Sequence, residues 1–172
     1  PAARGGVGTD AARGRLEGGR PRPRGELRSA ALRGLAPLSG AALAPRLLEA
    51  FGDESIPVRR EAVRLVGELG LQELVPRICE LRGDAGVRGE VYRALERLPD
   101  ARALDAYLEG LSSVETRAAC RAALGALREE LLAPLEARYL SGELREPVLG
   151  EVRGIYREAR ALRDWSISGP YR

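Results

Sequence analysis

The chain has 172 residues, 44% of them hydrophobic but only 4% aromatic, so its core must be built from Leu, Val and Ala, a mixture that suits close-packed helices better than sandwiches or barrels. Its net charge is +3, all 28 basic residues are arginine, and histidine is absent, which removes the commonest zinc ligand and the usual acid–base and triad catalyst. No apolar run reaches the length of a membrane span, and the amino terminus lacks the apolar stretch of a signal peptide.

Residues 1–24 contain six arginines against Asp10 and Glu17, so the basic character of the chain is concentrated there and the remainder sums to about −1. This segment is rich in Gly, Pro and Arg and has few large apolar residues to bury, so it is expected to be a disordered linker. The sequence begins at Pro1 without an initiator methionine, and we expect a processed product or a piece of a longer protein. The compartment stays open between cytoplasm and periplasm. The arginine-only usage fits GC-rich coding, which also favours Ala, Gly and Pro.

From residue 25 a period of about thirty residues sets in. Leu27, Val58, Val87, Thr116 and Val148 share one register. Apolar residues follow four places on at Ala31, Ala62, Val91, Cys120 and Val152, and eight places on at Leu35, Val66, Leu95, Leu124 and Tyr156. At the eleventh step stand Leu38, Leu69, Leu98, Leu127 and Ala159, and these offsets trace one face of a helix. Eighteen residues past the register points stand Pro45, Pro76, Asp105 and Pro134, each followed by a short apolar pattern. Proline is tolerated in the first turn of a helix, so these positions predict the start of the other helix of each unit. Gly70, Gly110 and Gly142 fit helix ends.

Each unit is thus a pair of antiparallel helices that can bury its apolar faces only by stacking. The pattern is a proline-led helix, an acidic turn, and V-R-x-x-A-x-x-x-L-G-x-L on the next helix. It is clearest in PRLLEAFGDESIPVRREAVRLVGELG (residues 45–70) and PRICELRGDAGVRGEVYRALERL (residues 76–98). It resembles the HEAT repeat, and is most similar to the short bacterial variety grouped with phycobilisome-lyase repeats. The resemblance spans residues 25–163 and weakens in the last unit, where Leu149 takes the place of the arginine. It implies an all-α fold, a right-handed α-solenoid of about nine helices in stacked antiparallel pairs. It also implies a non-catalytic scaffold that binds a protein partner, or a neighbouring domain of the same polypeptide, on an extended curved surface.

Two enzyme families on related helical repeats fit poorly. Deoxyhypusine hydroxylase-like proteins hold iron through His-Glu pairs, and this chain has no histidine. Alkyl-purine DNA glycosylases use a basic concave face with aromatics, whereas the repeats here are near neutral and the single Trp, Trp165, lies outside them. No dedicated residue supports lyase action on a bilin. Cys79 and Cys120 fall at apolar positions in non-neighbouring layers and read as small core residues, not as a disulfide. No cofactor or metal motif is present.

The arginines form two rows. Arg28, Arg59, Arg88 and Arg117 hold the second register position, beside the turn, where bonds to Asp53, Asp84 and Glu115 are expected to be structural. Arg33, Arg64 and Arg93 hold the seventh position, on the solvent side of the second helix, and with Arg97, Arg128 and Glu68 they are expected to form a shallow track for a partner. Nucleic-acid binding through this track and the arginine-rich segment is the alternative. After residue 163 the pattern stops, and residues 164–172, DWSISGPYR, are expected to begin a β-rich domain. W-x-I-x-G-P-Y resembles the strand that follows helical repeats in some large secreted bacterial multidomain proteins, including ones with a haem c module, which implies an accessory segment of a larger enzyme as a further alternative.

Overall fold

The computed structural model describes residues 24–37 and 40–157. The expected linker, Leu38 and Ala159 of the register, and the expected carboxyl-terminal strand with Trp165, Ile167 and Tyr171 lie outside the described residues. The described residues form the helices α1 (Arg24–Gly34), α2 (Gly40–Phe51), α3 (Ile56–Leu69), α4 (Val75–Glu80), α5 (Arg88–Arg97), α6 (Leu104–Gly110), α7 (Arg117–Ala126), α8 (Arg128–Leu140) and α9 (Val148–Arg157). Short 3-10 turns at Gln72–Leu74, Leu81–Gly83 and Ala101–Ala103 border α4 and α6, and no strand occurs among the described residues.

The odd-numbered helices stack in sequence, α1 on α3, α3 on α5, α5 on α7 and α7 on α9, while α2, α4, α6 and α8 form a second layer against them. This is the two-layered helical solenoid expected from the repeat. The register explains the core: Val58, Ala62 and Val66 on α3, Val87, Val91 and Leu95 at α5, and Thr116, Cys120 and Leu124 at α7 are all buried. The smallest residues set the closest approaches. A Cβ on Gly67 would stand 3.0 Å from the Cα of Ala94, so glycine there lets α3 and α5 meet backbone to backbone. Gly70 closes α3 with φ 70° and donates its N–H to the Val66 carbonyl, a left-handed cap that suits glycine.

Three expectations need correction. In α1 it is Ser29 and Leu32 that are buried, while Leu27 is exposed and Ala31 faces solvent. Among the described helices α1 packs chiefly on α3, and its buried face is turned toward that neighbour. Leu69 is 37% exposed, because the chain reverses at Gly70 and Leu71 enters the core in its place. Pro76 does lie in the first turn of α4, but Pro45 and Pro134 lie inside α2 and α8, which begin earlier. Pro134 faces solvent, where water can satisfy the carbonyl that a proline leaves without its helical donor.

Candidate functional site

The turns between layers fix the phase of the odd-numbered helices. Asp53 accepts from the Ser55 N–H at 2.8 Å and Asp84 from the Gly86 N–H at 2.7 Å, so each aspartate folds the same turn before its helix. Each is also gripped by the second-position arginine of the preceding unit. Arg28 donates through Nε and Nη2 to the two Asp53 oxygens, both at 2.9 Å, and Arg59 donates to Asp84 at 2.9 Å. These bonds hold both carboxyls below their ordinary range: for Asp53 the Arg28 guanidinium is the main cause, for Asp84 the Gly86 amide. Arg59 further caps the carbonyls of Asp53 and Glu54 at 2.7 and 3.0 Å. For Arg28 and Arg59 the row is structural as expected, whereas Arg88 and Arg117 bond backbone carbonyls of the preceding turn, and among the described residues no ion pair forms to Glu115.

The seventh-position row is positioned by the same stacking. Arg33, Arg64 and Arg93 come from α1, α3 and α5, and Arg97 lies one turn beyond Arg93. Glu61, only 6% exposed, sits between the first two, accepting from Arg33 at 3.0 Å and from Arg64. Burial opposes its ionisation, yet the Arg64 and Arg33 guanidiniums prevail and hold its carboxyl below the usual range. Arg64 also pairs with Glu68, which meets Arg97 at 3.7 Å, and Arg93 pairs with Glu90. Arg64, Glu68, Glu90, Arg93, Ala94 and Arg97 line a shallow groove of about 240 Å³ between α3 and α5.

The structure therefore brings Arg33, Arg64, Arg93 and Arg97 onto one face and leaves Arg128 off it. Arg128 is the first residue of α8, in the other layer, and its Nε is enclosed without a hydrogen bond. The chain turns after α7 ends at Ala126, so Arg128 opens the next helix and does not continue the row. Sequence reasoning missed Glu61 and Glu90. The available signal was an acid three places before a seventh-position arginine in two successive units, the helical spacing of an ion pair.

Cys79 and Cys120 are free thiols. Burial pushes them up to about 11 and about 12, far from the range of a reactive thiolate. Among the described residues no helix is long and apolar enough to cross a membrane, and no group of three or more His, Cys, Asp or Glu could hold a metal ion.

A family model described as HEAT repeats matches residues 43–128, which contain α3 to α7 and the groove between α3 and α5. No curated protein and no solved structure matches the chain.

Proposed function

The chain belongs to the HEAT-repeat family, and from that premise we propose that it is a scaffold whose α1–α3–α5 face docks a partner protein or a neighbouring domain. HEAT repeats commonly serve as protein-interaction scaffolds. The observation that supports this reading is the alternating chain Arg33–Glu61–Arg64–Glu68–Arg97 across three successive units, with the Arg93–Glu90 pair on α5 beside it. Alternating charge of this kind favours a partner with its own alternating charges, because each docked group finds an opposite one and register is set. Four arginines against three glutamates give the face only a slight positive excess. A phosphate backbone would be drawn by a field of one sign, so the same observation favours protein over nucleic acid. Chemistry is assigned to none of these residues, whose role in the proposal is to position a partner.

The experiment is site-directed photo-crosslinking in native extract. A crosslinker at position 93, on the groove, should give a discrete partner band, and one at position 77, on the other layer, should not. Equal products at both positions, or a band at 93 that survives Arg64→Glu with Arg97→Glu, would contradict the proposal.

A further inference from the structure

The turn edge carries a position-by-position comparison within one molecule. At the first two junctions of the odd-numbered layer, α1–α3 and α3–α5, a second-position arginine reaches forward to an aspartate in the next turn, Arg28 to Asp53 and Arg59 to Asp84. At the α5–α7 junction the equivalent residue is Ser113. With no carboxylate to receive it, the Arg88 Nε turns back to the Arg82 carbonyl at 3.0 Å, and among the described residues no acid pairs with Arg88. Arg117 makes the same backward bond to the Leu111 carbonyl, but it also reaches Glu151 of α9 at 3.5 Å.

Arg88 is exposed, and so is Arg60, whose Nε donates to the Gly86 carbonyl of the turn just before Arg88 and whose charge acts on the Asp84 carboxylate. Arg88 is therefore the guanidinium of this edge that meets no carboxylate among the described residues. A guanidinium is built for two-pronged carboxylate binding, and Arg28 on Asp53 shows that arrangement at the α1–α3 junction. Beside Ser113 stands Val114, 83% exposed and the most exposed large apolar residue among those described. An isolated exposed valine needs no explanation, but here it adjoins the one junction whose arginine lacks its acid.

We propose that the turn edge of the α5–α7 junction, formed by Arg88, Ser113 and Val114, docks an acidic segment of a partner protein in which a carboxylate neighbours an apolar side chain. The incoming carboxylate takes the place that Asp53 and Asp84 hold at the other junctions, and the apolar neighbour covers Val114. This surface lies at the amino-terminal ends of α5 and α7, apart from the arginine–glutamate groove, and stands independently of it.

The probe is a short fluorescein-labelled peptide alternating glutamate with leucine, followed by anisotropy against the full chain. The chain should bind it. Arg88→Gln should weaken binding roughly tenfold or more, as expected for a lost charge-assisted pair. Ser113→Asp should weaken it to a similar extent, because the chain's own carboxylate then occupies Arg88, while its helical circular dichroism and melting temperature are maintained or raised. Glu115→Gln should not weaken it. The proposal fails if the peptide does not bind, or if Arg88→Gln and Ser113→Asp both leave its affinity unchanged. It also fails if Arg93→Gln alone weakens binding, which would move the peptide to the groove. Equal binding of a glutamate–serine peptide would remove Val114 from the site, and equal binding of a single-stranded oligonucleotide would replace the acidic partner with phosphate; either result overturns the proposal as stated.

Discussion

Leu95→Ala probes the stacking at its centre. Leu95 is fully buried on α5, which packs on both α3 and α7, and its backbone carbonyl faces the buried hydroxyl of Tyr107 at 3.4 Å. The substitution removes about three carbon groups at ~0.8 kcal/mol each, a transfer loss near 2.4 kcal/mol. The neighbours are held from two sides and can close the space only in part, so a cavity cost raises the total to about 2.5–5 kcal/mol. For a chain of this size that is a fall in melting temperature of roughly 5–20 °C, read by circular dichroism at 222 nm. Leu69→Ala is the internal control. It shares the repeat register but is 37% exposed, and it should cost under ~1 kcal/mol. If the two variants melt alike, the assignment of Leu95 to a shared interface between units is wrong.

Three further outcomes follow from the polar contacts. Arg59→Ala, which removes bonds to Asp84 and to two turn carbonyls from a side chain only 17% exposed, should destabilise by about 1.5–3 kcal/mol, whereas Arg33→Ala, 62% exposed, should cost about 0–1 kcal/mol in chemical denaturation. Asp100 is buried and held down to about 2, chiefly by the Arg102 side chain, with its own burial opposing and the Arg102 amide and Gln72 assisting. Because its folded value lies below the ordinary 3.8, its contribution is complete above about pH 4 and is lost as the pH falls toward 2; Asp100→Asn should flatten that part of an acid titration of the melting temperature. Alkylation by iodoacetamide at pH 8 should be slow at both thiols and faster at half-buried Cys79 than at Cys120, and rapid modification of Cys120 would contradict its burial.

The stack was legible in the sequence because its signal repeats. Positions such as Val66, Leu95 and Leu124 face the same packing environment in successive units, so each copy supports the others. Legibility failed at the first described helix and where a helix ends. Leu27 has the right residue type, but α1 packs chiefly on α3, and packing decides burial. Arg128 was expected beside the row, but α7 ends at Ala126 and Arg128 opens α8, a helix boundary that residue type alone does not reveal. The arginine row could be read as a row, but its pairing could not: whether Arg33 meets Glu61 depends on how α1 and α3 are phased across their interface, which spacing within one helix does not specify. The contrast among Asp53, Asp84 and Ser113 was present in the sequence all along. It acquired meaning only when the forward reach of Arg28 and Arg59 was seen beside the backward turn of Arg88.

The most direct test of the scaffold reading is hydrogen–deuterium exchange of the chain with and without the partner captured through position 93. Binding on the arginine–glutamate face should slow exchange over residues 61–69 of α3 and 90–97 of α5, while α4 and α6 keep their free rates. Slowing confined to α4 and α6, with α3 and α5 unchanged, would place the partner on the other layer and contradict the account.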